Sequence, residues 1–125
     1  MKIFIAEDDR DLQKLYGLLF EMSGFEVVAI ANNGEEAIKK FQKLEEKPDI
    51  IILDYRMPIK NGIDALKEIL KMDKNSKIIF ASADRTIKEE VIQYGALGFL
   101  DKPFNHKKLI SIVNKCLGSA KLIHS

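Results

Sequence analysis

A parallel, doubly wound α/β sheet of five strands with helices on both faces is the fold class that this 125-residue sequence predicts. Three observations carry it. Short apolar runs recur at Ile3-Phe4-Ile5-Ala6, Ile50-Ile51-Ile52-Leu53 and Ile78-Ile79-Phe80-Ala81, each bounded by turn residues, as in strands buried on both faces. Between them lie segments with apolar residues at helical spacing. The strand–helix alternation repeats five times, which is the signature of crossover connections and a parallel sheet.

The elements follow in order. Residues 2 to 6 form the first strand. Residues 9 to 23 form a helix with Leu12, Leu15, Tyr16, Leu19 and Met22 on one stripe, stopped by Gly24. Residues 25 to 31 form the second strand, ended by Asn32-Asn33-Gly34. Residues 35 to 46 form a helix through Ala37, Ile38, Phe41 and Leu44, and Pro48-Asp49 breaks it. The third strand ends at Asp54, and 55 to 61 is a loop. The next helix presents Ile63, Leu66, Ile69 and Leu70, and Asp73-Lys74-Asn75-Ser76 turns into a strand at 77 to 82. A short helix at 85 to 94 turns Ile87, Val91 and Tyr94 inward. Residues 97 to 101 form the fifth strand. Residues 105 to 117 form the last helix, with Leu109, Ile112, Val113, Cys116 and Leu117 inward, and Gly118 ends it. The expected division is one domain over 1–118 and a loose tail over 119–125.

Periodicity does not order the strands. The flavodoxin-like order 2-1-3-4-5 is the common solution at this size. It makes the first, third, fourth and fifth strands contiguous. Their carboxyl ends carry Glu7-Asp8-Asp9, Asp54, Ser82 and Lys102-Pro103, and ligands of open parallel sheets bind outside those ends. Acids, a lone Asp, a hydroxyl and an ammonium would therefore meet at one edge, a site suited to a divalent metal and a phosphoryl group.

Bulk properties narrow the class. Net charge is +1, with five lysines against Asp101 in residues 101 to 125, read as the solvated face of the last helix. No basic run interleaved with aromatics points to direct nucleic-acid binding. The lone Cys116 excludes an intrachain disulfide and suits a buried helix face. No apolar run approaches a membrane span of about 20 residues, and no secretory signal is visible, so a cytoplasmic location is expected.

Each site residue has a chemical reason. Hard Mg²⁺ takes oxygen ligands, often one or two carboxylates with several waters; Glu7, Asp8 and Asp54 can supply them. Asp9 is read as the cap of the first helix and is not assigned to the metal. Asp54 follows four apolar residues, needs a cation or solvent at the strand tip, and belongs to a residue type that forms acyl phosphates. Ser82 offers a hydroxyl. Lys102 leaves an apolar strand before Pro103, in a bond type that adopts the cis form far more readily than others. His106 and His124 lack metal-ligand spacing.

Taken together, Ala6-Glu7-Asp8-Asp9, Leu53-Asp54-Tyr55-Arg56-Met57-Pro58, Asn61-Gly62, Ala81-Ser82-Ala83 and Asp101-Lys102-Pro103-Phe104 resemble the receiver domains of two-component response regulators, the CheY-like family. The resemblance covers residues 2 to 117. It implies that Asp54 is the phosphoacceptor, that Asp8 binds Mg²⁺ directly and Glu7 directly or through water, and that the Arg56 backbone carbonyl is a further ligand. It also implies that Ser82 and Lys102 hold phosphoryl oxygens, and that Phe99 is the aromatic switch, turning inward when the Ser82 loop shifts. Glu7 stands where Asp is commoner in the family, Ser82 where Thr is, Asn61 where Asp is, and Phe99 where Tyr often is.

The implied partners are a sensor histidine kinase or phosphotransfer protein and a downstream protein target. The chain would be a monomer or a phosphorylation-dependent dimer, without membrane or direct nucleic-acid contact. It would be a phosphoacceptor with its own self-phosphorylation and autodephosphorylation chemistry, not a turnover enzyme. A haloacid-dehalogenase-type phosphatase would want a second Asp where Arg56 stands. A dinucleotide protein would want a Gly-rich turn where this chain is acidic. The rival reading is a pseudo-receiver that only docks, and the retained Asp54, Lys102 and acids speak against it.

Overall fold

β1 (Lys2–Ala6) lies between β2 (Glu26–Ala31) and β3 (Ile50–Asp54), with β4 (Ile78–Ser82) and β5 (Gly98–Asp101) following β3 outward. All neighbouring strands are parallel, in the expected order 2-1-3-4-5. The structure is a computed structural model that describes residues 1–118; the tail expected at 119–125 lies outside the described residues.

Strand alternation divides the core in two. Phe4, Ala6, Ile51, Leu53, Ile78 and Phe80 face α2 (Gly34–Lys43), α3 (Gly62–Met72) and α4 (Lys88–Tyr94). Ile3, Ile5, Ile50, Ile52, Ile79 and Ala81 face α1 (Arg10–Met22) and α5 (His106–Leu117). The residues of β1, β3 and β4 facing either layer are fully or almost fully buried, which is why these strands read as continuous apolar runs.

Helix ends follow their caps. Asp9, Asn33, Asn61 and Asn105 accept backbone N–H groups at the starts of α1, α2, α3 and α5, the usual work of short polar side chains at an N-cap. α1 and α5 thus begin one residue later than expected. α2 ends at Lys43, three residues earlier. Leu44 turns extended (φ −69°, ψ 118°) to pack on the core, and the Lys47 ammonium takes the Phe41 carbonyl at 2.5 Å. A 3₁₀ turn, Arg85–Ile87, precedes α4.

Two expected inward faces differ. In α1 Tyr16 is buried and Leu12 and Leu19 pack on the core as expected, but Phe20 is buried too, whereas Leu15 is 42% and Met22 66% exposed. Apolar residues surround much of this helix, so its periodicity admits two phases. The aromatic pair takes the interior because it buries the most area. Tyr94 is exposed, with the Lys67 ammonium 4.2 Å from its ring centre. Cys116 is buried, as its helical position implied. Among the described residues no helix is long and apolar enough to cross a membrane.

Candidate metal and phosphoryl site

The site is built by hydrogen bonds that lock the strand tips together. The Glu7 N–H donates to the Ala31 carbonyl (2.9 Å), Tyr55 N–H to Ala81 (3.1 Å) and Lys102 N–H to Ser82 (3.0 Å). Behind Asp54 the chain folds back, and the Gly62 N–H donates to the Tyr55 carbonyl at 2.9 Å. A Cβ on Gly62 would overlap the Asp54 carbonyl oxygen. Only glycine permits this approach, so the Asn61-Gly62 pair, with Asn61 capping α3, fixes the backbone behind Asp54. The Gln13 amide donates to the Glu7 carbonyl and, at 2.8 Å, to Asn32, tying α1 to the loop after β2.

On that frame, Glu7, Asp8 and Asp54 each place a carboxylate oxygen within 4.8 Å of the others. Glu7 and Asp54 are 2% and 5% exposed, and Asp8 faces solvent. The Lys102 ammonium reaches between the buried pair, 2.8 Å from Glu7 Oε1 and 2.5 Å from Asp54 Oδ1. Glu7 Oε2 accepts the Asp9 N–H at 3.1 Å. The Lys102–Pro103 peptide is cis.

The electrostatics follow from burial. Desolvation raises the Glu7 carboxyl above the usual range, and Asp54 adds repulsion against the opposing pull of Lys102. Desolvation also raises Asp54, with Asp8 adding repulsion. Burial works to lower Lys102, but its hydrogen bonds to Asp54 and Glu7 outweigh that and raise it. One ammonium therefore holds two crowded carboxylates, beside a third that is open to solvent. An all-oxygen, three-acid donor set with unbalanced negative charge fits a hard divalent cation such as Mg²⁺.

The other predicted residues fall around this centre. The Ser82 hydroxyl, at the tip of β4, accepts the Asp84 N–H at 2.9 Å, leaving its own proton free to donate. Arg56 lies two residues beyond Asp54; its guanidinium is 3.7 Å from Asp84 and packs over Tyr55. Phe99 is 8% exposed, in the cluster that contains Ile87, Val91 and Ala96. Phe99 thus packs against the apolar layer under α4 while also lining the groove between β5 and α5.

Sequence reasoning missed three participants. Asp84 and Arg85 bracket the loop after β4 through ion pairs with Arg56 (3.7 Å) and Asp101 (3.2 Å); surface charges carry no signal of their partners. Tyr16, read only as one member of an apolar stripe, lies wholly buried on the side of the sheet to which strand alternation assigns Glu7 and Asp54.

A family model described as response regulator receiver domain matches residues 3–114. The chain is similar to the chemotaxis protein CheY of Thermotoga maritima, 39% identical over 91% of this chain and 95% of that protein. It is similar also to CheY of Bacillus subtilis, 36% identical over 93% and 97%. Among solved structures it matches a CheX–CheY–BeF₃–Mg²⁺ complex from Borrelia burgdorferi with a TM-score of 0.92, at 29% identity, covering 95% of this chain and 90% of that one.

Proposed function

The chain belongs to the response regulator receiver domain family, and on that premise we propose that Asp54 accepts a phosphoryl group from a phosphohistidine on a sensor kinase or phosphotransfer protein. The observation that carries this reading is the buried Asp54 carboxylate at a strand tip, bridged by Lys102 and within 4.8 Å of two further acids. An Asp54 oxygen attacks phosphorus as the phosphorus–nitrogen bond breaks, and the imidazole leaves with that electron pair. Catalysis here is positioning and charge stabilisation. Asp8, Glu7 and Asp54 would hold Mg²⁺, with the Arg56 carbonyl completing the set. When bound, the ion neutralises charge on the transferring group and its acceptor. Lys102, already on Asp54, would shift to a phosphoryl oxygen, and the Ser82 hydroxyl would donate to another.

The new group adds about −1.5 to −2 charge at neutral pH, close to the loop after β4. That loop is held by Arg56–Asp84 and Arg85–Asp101, both exposed pairs of the kind worth little individually. Pulling Ser82 toward the phosphoryl group re-sorts them and shifts α4 against β5. Transmission then runs through this loop and Phe99 to the groove of Phe99, Asp101, Lys108 and Ile112 between β5 and α5. That face would bind the downstream protein in a cytoplasmic pathway. The chain acts as a switch with its own slow phosphoryl loss, not as a turnover enzyme.

Incubation with acetyl phosphate and Mg²⁺ should add one phosphoryl group by intact mass, lost in hydroxylamine and absent without the metal. Asp54→Asn should abolish it. An undiminished adduct in that variant would refute the assignment.

A further inference from the structure

Tyr16 is fully buried, and its hydroxyl has no hydrogen-bond partner among the described residues. A buried, unpaired hydroxyl is costly and calls for an explanation. Three geometric facts place it. Alternation along β1 and β3 puts Glu7 on the side of Ile3 and Ile5, and Asp54 on the side of Ile50 and Ile52; Tyr16 belongs to that same layer. α1 starts at the site, where Asp9 caps it, and helical side chains lean toward the N-terminus, so Tyr16, in the second turn, leans back toward the strand tips. Its ring stacks on Phe104 at 5.2 Å and 23°, two residues beyond Lys102, and on Phe20 at 6.2 Å and 11°. Burial first, then the charges of Glu7 and Asp54, hold its hydroxyl in the protonated, donor form.

The donor has a use once the acceptor is loaded. In this structure the Lys102 ammonium serves Glu7 and Asp54 together. If Lys102 turns to a phosphoryl oxygen, Glu7 Oε1 loses that hydrogen bond while remaining buried, even where the carboxylate also holds Mg²⁺. We propose that the Tyr16 hydroxyl then donates to the Glu7 carboxylate, making Tyr16 a positioning residue that stabilises the phosphorylated form through Glu7. No proton changes hands: the phenol keeps its hydrogen and shares it. The inference rests on Asp54 being the phosphoryl acceptor.

Tyr16→Phe removes the hydroxyl alone. Before phosphorylation it should leave thermal stability unchanged or higher, since the lost group had no partner. Titrated calorimetrically with beryllofluoride in saturating Mg²⁺, the variant should bind about tenfold more weakly than the parent, the worth of a hydrogen bond to a charged acceptor. In a Glu7→Gln background the same substitution should cost much less. Equal affinity of parent and Tyr16→Phe, with the parent binding, overturns this inference and leaves the phosphoacceptor reading intact. No binding by the parent overturns both. Should Tyr16→Phe not fold, ¹³Cζ resonances of the parent decide: beryllofluoride should move Tyr16 more than Tyr55 or Tyr94, and a stationary Tyr16 signal overturns the inference.

Discussion

The interior of β3 and its tip are adjacent in the chain and governed by opposite physics. Ile50 to Leu53 are buried among aliphatic and aromatic neighbours on both faces of the sheet, where each side chain removed from water contributes about 1.5–3 kcal/mol. Asp54, the next residue, is almost as deeply buried but is charged, crowded by Asp8 and Glu7, and balanced by one lysine. The strand interior holds the fold together, and its tip holds negative charge where the fold alone would not favour it. A site that is uncomfortable when empty gains most from a cation and a ligand that relieve it.

The largest effect should come from cutting the interior. Phe80 is fully buried in the centre of β4, and Phe80→Ala should cost about 3–5 kcal/mol in urea unfolding. Asp54→Asn, on the adjacent strand, should move the midpoint the other way. Burial raises the Asp54 carboxyl in the folded chain, so ionising it disfavours folding above the unfolded carboxylate range, and a neutral isostere removes that cost. A midpoint lowered by Asp54→Asn as much as by Phe80→Ala would erase the contrast between tip and interior.

Next comes the bridging lysine. Lys102→Met should destabilise the chain by about 3 kcal/mol at neutral pH, because it leaves two buried carboxylates without their cation. Acid should restore stability, since both carboxyls titrate above their ordinary values in the folded chain and stability falls as pH rises through that window. Added Mg²⁺ should restore it as well. In the parent, the Lys102 contribution is fully present below its ordinary pKa of 10.5 and is lost as pH rises through the higher folded value. Thermal melts across pH, with and without Mg²⁺, check all of this; a variant loss that acid leaves unchanged would mean that Lys102 is not what balances the acids.

The same contrast between tip and interior explains what was legible in the sequence. Ile50-Ile51-Ile52-Leu53 and its counterparts declared the parallel sheet because burial on both faces leaves no polar position in the run. The crossover pattern then brought Asp8, Asp54, Ser82 and Lys102 to one edge. The phase of α1 was only partly legible: Leu12, Tyr16 and Leu19 do face the core, but Leu15, Leu18 and Met22 repeat as regularly as Tyr16 and Phe20, and only tertiary packing chooses between them. The Arg56–Asp84 and Arg85–Asp101 pairs were not legible, since side-chain placement across loops leaves no periodic trace.

Within the tip, the exposed acid should matter more to the metal than the buried one. Asp8 faces solvent, whereas both oxygens of Glu7 are already engaged, with Lys102 and the Asp9 N–H. Asp8→Asn should therefore weaken Mg²⁺ binding more than Glu7→Gln, by calorimetric titration. The reverse order would exchange their roles.

The smallest effect lies in the loop beyond Asp54. Ile59 is 76% exposed with φ at 70°, a conformation that β-branched residues avoid and Asn tolerates. Ile59→Asn should stabilise the chain by about 1 kcal/mol with Mg²⁺ affinity unchanged. A loss of stability would mean that this side chain packs after all.

The central claim is that Asp54, among several acids at one edge, is the group that carries the phosphoryl. Borohydride reduces an aspartyl phosphate to homoserine, which peptide mass spectrometry can locate after treatment with acetyl phosphate and Mg²⁺. Homoserine at position 54 and at no other acid is the expected result. Homoserine at position 8 or 9, or none in a chain that has gained phosphate, would contradict the account.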